Sequence, residues 1–157
     1  MIGIALLVAV TIFYTAYNVL IKVSGTYVPA AATTTILATI SLQLAALLTS
    51  VVFLGFLAVR GGQAFSLPSG SYLWAALAGL CIGAAEIAYF YLFGGVGLAK
   101  PMPASVAIPI IVSGTIVLAL FLSRFVLGEE ITWNQILGSI LIVLGIATIF
   151  FRSTAPA

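Results

Sequence analysis

Five long apolar stretches constrain the possible folds of this chain more than any other feature. A bilayer hydrocarbon core of about 30 Å is crossed by a helix of roughly 20 apolar residues. Stretches of this kind cover approximately residues 2–23, 31–59, 72–98, 103–125 and 133–151. Inside a bilayer every backbone N–H and C=O must be paired, and a helix pairs them within itself. The sequence therefore predicts an all-α membrane protein with five transmembrane helices.

The composition identifies lipid as the solvent for these helices. The chain is 64% hydrophobic and only 5% charged, whereas soluble domains carry about 25% charged residues. Residues 1–152 are predicted to form a single transmembrane domain in the lipid bilayer, followed by a short polar tail at 153–157. The first basic residue, Lys22, comes after the first apolar run rather than before it, so a cleaved signal peptide is not expected.

Several classes of function do not fit the residues present. Histidine is absent and Cys81 is the only cysteine, so neither an intrachain disulfide nor a Cys/His metal site is expected. The net charge of +2 is too small and dispersed for a nucleic-acid-binding protein. No phosphate loop, nucleophile elbow or pair of catalytic carboxylates is recognisable. We therefore expect no enzyme activity, no cofactor, no metal and no nucleic acid.

One carboxylate in the third stretch is the strongest functional signal. Glu86 is the only charged residue from Ser71 to Ala99. An ionised carboxylate at this depth costs roughly 3 kcal/mol to insert, and such residues are functional by default. We expect Glu86 to face a helix contact or a cavity, and either to hold a proton or to pair with a cation. Tyr89 follows within one turn as a further candidate. The alternative is a neutral, structural glutamate hydrogen-bonded to a tyrosine.

Glycines and a proline indicate where the helices meet or bend. Gly79 and Gly83 share the Glu86 face, and Gly138 and Gly145 lie seven residues apart in the fifth stretch. Small residues at helical spacing allow helices, or two copies of a chain, to approach closely. Pro109 removes one backbone donor from the fourth helix and predicts a helix break. Proline and glycine are also simply common in membrane helices.

Polar residues follow one face of each of the first two stretches. They are Thr11, Thr15, Asn18 and Lys22 in the first stretch, with Tyr14 at the edge, and Thr35, Thr39 and Gln43 in the second. A face of this kind is expected to meet protein or a water-filled cavity rather than lipid. Interhelical hydrogen bonds are the favoured role of the threonines. Asn18, Tyr14, Lys22 and Gln43 join Glu86 and Tyr89 as candidate substrate- or proton-binding residues.

The connection before the fifth stretch contains two helix-end signals. Gly128 suits a left-handed C-cap of the fourth helix. Thr132 and Gln135 have the spacing of a capping box, in which the threonine side chain accepts from the backbone amide of residue 135 and the glutamine reaches back. The fifth helix is therefore predicted to begin at Trp133.

Basic residues near the helix ends give a nearly balanced orientation signal. Lys22, Lys100 and Arg152 fall on one side of the membrane, and Arg60 and Arg124 on the other. The positive-inside rule counts such residues in short loops. Insertion in both orientations is therefore one expectation. A single orientation, set by one basic residue or by a partner, is the other.

The C-terminal half resembles the end of an EamA-type repeat of the drug/metabolite transporter superfamily. The stretch is PASVAIPIIVSGTIVLALFLSRFVLGEEITWNQILGSILIVLGI. The family pattern is a mid-helix proline, then L-G-E-x-[IL]-T, Q-x-[IL]-G and a late glycine. The matching residues are Pro109, Leu127, Gly128, Glu129, Ile131, Thr132, Gln135, Gly138 and Gly145. YNVLIKVSG, with Lys22, is similar to the end of the family's first helix.

This resemblance implies one five-helix EamA-like repeat that pairs into a ten-helix dimer, for which an antiparallel homodimer is one arrangement. It implies a secondary transporter protomer in a prokaryotic plasma membrane, moving a small metabolite or amphiphilic compound by alternating access. Related four-helix multidrug transporters carry a coupling glutamate at the position that Tyr14 occupies here, so we infer Glu86 as its replacement. The alternatives are a non-transporting membrane subunit and a component of a lipid-linked sugar flippase.

Overall fold

The chain consists of consecutive long helices. The structure, a computed structural model, describes residues 2–62 and 64–153, except for the side chains of Ile149, Phe150, Arg152 and Ser153. The helices are α1 (Ile2–Tyr27), α2 (Ala32–Arg60), α3 (Ser69–Gly94), α4 (Ala104–Phe125) and α5 (Trp133–Ser153). No strand occurs in the described part of the chain. The predicted all-α fold is confirmed.

The helices have the length and the surface of membrane spans. Each of α1 to α4 is long and apolar enough to cross a bilayer, and the apolar part of α5 that the structure describes, Trp133–Thr148, is shorter. Large apolar side chains such as Leu7, Leu48 and Trp74 are exposed along the helices. A continuous apolar exterior of this kind is stable in lipid and not in water. The sequence-based prediction of membrane helices is therefore confirmed.

The chain divides into two compact units, Met1–Pro101 and Met102–Ala157. In the first unit α3 packs against both α1 and α2. In the second unit α4 packs against α5. The polar faces predicted on the first two helices and the face that carries Glu86 therefore belong to the same unit.

The ends of two helices differ from the hydropathy pattern. The third helix was expected to reach residue 98, but α3 ends at Gly94 because Gly95 and Gly97 take left-handed φ angles of 76° and 73°. A Cβ atom at Gly95 would also lie only 3.0 Å from the Pro101 ring. The first helix was expected to end near residue 23, but α1 continues to Tyr27. Hydropathy marks the edge of the bilayer, whereas a helix continues as long as its backbone hydrogen bonds can form.

The connection between α4 and α5 contains only half of the predicted capping box. Gly128 has a left-handed φ of 69° as predicted, but the C-cap of α4 is Val126, which is right-handed. α5 begins at Trp133, as predicted. The Gln135 Oε1 atom accepts from the Thr132 backbone N–H at 2.7 Å, as predicted. The Thr132 hydroxyl, however, donates to the same Oε1 atom at 3.0 Å. The Gln135 backbone amide donates to the Thr132 carbonyl at 3.1 Å instead of to the Thr132 hydroxyl.

Pro109 does not interrupt the fourth helix. α4 is one continuous helix from Ala104 to Phe125, with Pro109 inside it. Proline has no N–H group, so the residue removes the one helical hydrogen bond that would reach the carbonyl of Ser105. The sequence-based prediction of a helix break is therefore wrong, since the loss of a single hydrogen bond leaves the helix intact.

The contact between α1 and α3 provides a test of packing. Gly25 is buried, and a Cβ atom there would lie 3.2 Å from the Phe93 Cβ and 3.4 Å from its carbonyl carbon. We expect Gly25→Leu to force the two helices apart and to destabilise the unit by about 1–3 kcal/mol. Thermal unfolding in detergent measures this. Gly55→Leu is the control, because no atom lies within 4 Å of a Cβ at that position. Equal unfolding temperatures for the two variants would contradict the prediction.

Candidate functional site

A cavity of about 500 Å³ lies between α1, α2 and α3. Its polar wall comes from Tyr14 and Tyr17 of α1, Gln43 of α2 and Glu86 of α3. Apolar side chains of the same helices complete it, including Phe13, Leu42 and Ile82. The α1–α3 and α2–α3 contacts therefore bring three of the predicted site residues, Tyr14, Gln43 and Glu86, to one place.

Glu86 is the central polar group of this cavity. Its side chain is only 3% exposed. The Glu86 carboxyl group and the Tyr17 hydroxyl lie close enough to interact. Nevertheless, among the described residues neither Glu86 Oε2 nor the Tyr17 hydroxyl has a partner at good hydrogen-bonding geometry. Buried polar atoms are paired in the large majority of cases, so these two oxygens make this wall the candidate for a binding site.

Aromatic rings extend from the cavity along the contact between α1 and α3. The Tyr14 and Tyr17 ring centroids are 6.1 Å apart with the planes at 77°. Tyr17 lies 6.3 Å from Tyr89, and Tyr89 lies 5.5 Å from Phe93. Tyr89 therefore contacts the site through Tyr17 and does not itself line the cavity. Tyr17 was not among the residues predicted from the sequence, although its position three residues after Tyr14 and next to Asn18 placed it at the edge of the polar face.

Asn18 and Gln43 have different positions around the cavity. Asn18 is buried, donates from Nδ2 to the Tyr14 carbonyl at 2.8 Å, and does not line the cavity. Its Oδ1 atom has no hydrogen-bond partner within the described part of the chain. Gln43 is exposed to the cavity, and its Nε2 atom would lie 3.1 Å from a Cβ at Gly83. Gly83 thus leaves room for the Gln43 side chain.

The other glycines singled out in the sequence lie in open surroundings. Gly79 lines the cavity, and no atom lies within 4 Å of a Cβ built there. It therefore leaves space in the cavity, and its predicted role in helix or dimer packing stays a prediction. Gly138 and Gly145 on α5 also have nothing within 4 Å of such a Cβ. Their predicted role in helix or dimer packing stays a prediction.

The threonines of the two polar faces bond to their own helices. Thr11 and Thr15 are exposed, and each hydroxyl donates to the carbonyl four residues earlier at 2.8 Å. Thr35 and Thr39 are buried but bond in the same way, at 2.9 and 3.0 Å. The prediction of interhelical hydrogen bonds for these threonines is therefore wrong. A threonine hydroxyl reaches the preceding turn of its own helix without any partner helix.

Lys22 lies outside the cavity. Its Nζ atom donates to the Phe93 carbonyl at 3.5 Å and lies 5.3 Å from the centroid of the Phe93 ring. The side chain is half-buried and does not contribute to the cavity wall. The structure therefore groups Lys22 with the α1–α3 contact and not with Glu86.

Because Lys22 lies at the α1–α3 contact, its substitution is expected to affect stability. We expect Lys22→Ala to lower the stability of the unit by about 1 kcal/mol, because a cation–π contact and a buried side-chain stem are lost. Lys22→Arg is expected to keep both, and Lys100→Ala, at an exposed lysine, serves as the control. Thermal unfolding in detergent is the measurement. A Lys22→Ala protein of unchanged stability that no longer binds or transports substrate would instead place the lysine in the binding site.

Two further cavities were not anticipated from the sequence. One of about 370 Å³ lies between α2 and α3 and shares Gln43 and Gly79 with the first. The other, of about 850 Å³, lies between α4 and α5 and is mainly apolar, with Arg124 and Glu130 at its wall. Both of these charged side chains are exposed. The smaller cavity at Glu86 is the better candidate site, since it combines a buried carboxyl group with unpaired oxygen atoms.

The comparison with protein families decides the class of the protein. The EamA-like transporter family matches residues 1–151. The chain belongs to the EamA-like transporter family. No curated protein and no solved structure matches it. The resemblance seen in the sequence is thus confirmed, and the EamA-like chain is a multi-pass membrane protein of a transporter family, in contact with the lipid bilayer.

The residues that identify the EamA-like chain are not those of the candidate site. The motif from Leu127 to Gly145 lies in the unit of α4 and α5. Glu86 and its cavity lie in the unit of α1 to α3. Membership of the family therefore supports transport in general, and the role of Glu86 depends on the geometry of its own unit.

Proposed function

We propose that this EamA-like chain is the protomer of a secondary transporter that moves a small metabolite or amphiphilic compound across a prokaryotic plasma membrane by alternating access. The observation that carries the proposal is the 3% exposed Glu86 in the wall of a cavity of about 500 Å³ between three membrane helices. Membership of the EamA-like transporter family supports it.

A buried carboxyl group provides a means of coupling. Charge interactions are far stronger at low dielectric than in water, so an ionised Glu86 without a partner is unfavourable at this depth. A proton or a cationic substrate group relieves this cost, and the two compete for the same oxygens. The other titratable groups that face Glu86 are Tyr17 of α1 and Tyr89 of α3, with Tyr14 beside Tyr17. Gln43 of α2 also lines the cavity, and its side-chain amide does not ionise.

We further propose that two copies pair to form the working transporter. Five helices of one repeat make half of the ten-helix unit that the sequence resemblance implies. The balance of basic residues favours an antiparallel homodimer, in which both orientations are needed. Gly138 and Gly145 on α5, with no atom within 4 Å of a Cβ built at either, are candidate residues for pairing with the second copy.

Reconstitution tests the proposed function directly. The purified protein is incorporated into proteoliposomes, and uptake of a panel of radiolabelled metabolites and amphiphiles is measured with and without a pH gradient. Protein-free liposomes are the control. We expect at least one compound to accumulate only in the presence of both the protein and the gradient. A correctly folded, reconstituted protein that moves none of the panel, under either condition, would favour a non-transporting subunit instead.

A further inference from the structure

We infer that the cavity at Glu86 binds a protonated primary amine with an apolar body, and that the N–H groups of this amine bridge the Glu86 carboxylate and the Tyr17 hydroxyl. The inference rests on the proposed transport function and names the class of substrate for the same site. It is carried by unpaired oxygen atoms, by the charge of the cavity wall and by its apolar surface.

The two buried oxygen atoms suit a ligand that donates hydrogen bonds. Glu86 Oε2 and the Tyr17 hydroxyl are buried, and both residues line the cavity. The two groups lie close enough to interact, but neither atom has a partner at good hydrogen-bonding geometry among the residues described. A carboxylate oxygen only accepts hydrogen bonds, and a phenol oxygen both donates and accepts. A single group that carries several N–H donors satisfies both oxygens at once. An ammonium group has three such donors.

The charge of the wall selects a cation. Glu86 is the only charged side chain among the described residues that line this cavity. Lys22, which the sequence placed on the same polar face as Tyr14, contacts Phe93 and does not line the cavity. An anionic ligand would therefore meet a like charge without a compensating base. A bond between an ammonium group and a carboxylate is charge-assisted and about twice as strong as a neutral hydrogen bond.

The tyrosine rings and the apolar wall define the rest of the ligand. Tyr14 and Tyr17 present rings at 77° to each other, and such faces attract cations in general. They would accept a quaternary ammonium group as well, but that group has no N–H and leaves both oxygens unpaired. The apolar wall that includes Phe13, Leu42 and Ile82 can accommodate an aromatic or alkyl body.

Calorimetry with a matched series of probes tests this inference. The purified protein in detergent is titrated at neutral pH with 2-phenylethylamine, its N,N,N-trimethyl analogue and the neutral 2-phenylethanol. We expect the primary amine to bind at least about tenfold more tightly than either of the others. Glu86→Gln and Tyr17→Phe are each expected to weaken amine binding, the first by about tenfold or more. Tyr27→Phe, at an exposed tyrosine of the same helix, is the control and should leave binding unchanged.

The possible outcomes separate the inference from the proposed function. Equal or tighter binding of the trimethyl analogue would overturn the N–H bridge. Glu86-dependent uptake of another compound by a protein that binds none of the amines would overturn the inference and leave the transport function in place. Glu86-dependent amine binding by a protein that takes up no compound would overturn the transport function and leave the inference about binding in place. If Glu86→Gln fails to fold, the wild-type probe series and the Tyr17→Phe and Tyr27→Phe pair still decide the question.

Discussion

Glu86→Gln is expected to abolish gradient-driven transport while leaving the protein folded. The amide keeps the shape and the neutral hydrogen bonding of the side chain, but it neither ionises nor carries a proton. Removal of one partner from a buried charge pair costs about 2–5 kcal/mol, so we expect initial uptake to fall by about a hundredfold. The variant is also expected to lose the pH dependence of substrate binding, since Glu86 is the only carboxylic acid among the described residues that line the cavity.

Uptake into proteoliposomes over a range of pH values, with and without a pH gradient, is the measurement. Glu130→Gln is the matched control, because Glu130 is an exposed glutamate in the unit of α4 and α5. Size-exclusion chromatography and thermal unfolding establish that both variants are folded. If Glu86→Gln transports with the wild-type pH profile, the carboxyl group is structural, and coupling through it must be abandoned.

Locking the chain in a single orientation is expected to reduce transport to background. Three basic residues lie on one side of the predicted topology and two on the other, so a few added charges should decide the orientation. Two lysines added after Arg152 should hold the C-terminus in the cytoplasm. Ala64→Lys together with Ser66→Lys, in the connection between α2 and α3, should favour the opposite orientation. An antiparallel pair cannot form from either variant alone, but it forms when both are expressed together.

Reporter fusions to the C-terminus measure orientation, and uptake by cells or proteoliposomes measures function. We expect the wild type to report on both sides of the membrane, each locked variant on one side, and uptake to recover only on co-expression. Two serines added after Arg152 are the control for the added residues. A locked variant that transports by itself, or a wild type found in one orientation without a partner protein, would contradict the antiparallel homodimer.

The membrane character of the helices could be predicted because it depends on local properties. About 20 consecutive apolar residues cross a bilayer as a helix whatever their neighbours are, and a lone carboxylate such as Glu86 is conspicuous at that depth. The family could also be predicted from the sequence, because the EamA pattern is defined by the order of residues along the chain. The ends of the helices were less predictable, since Gly95 and Gly97 end α3 through backbone φ angles that an apolar composition does not reveal.

The composition of the candidate site depended instead on the tertiary structure. The sequence placed Lys22, Asn18 and Tyr14 on one polar face. The packing of α1 on α3, however, brings Lys22 to Phe93, and the cavity wall includes Tyr17 but not Asn18. The threonines, which the sequence assigned to contacts between helices, bond within their own. Helical spacing specifies which residues share a face. Which partner that face meets, and which of its atoms stay unpaired, is decided by the rotation and the distance of neighbouring helices, because these depend on side chains far apart in the chain.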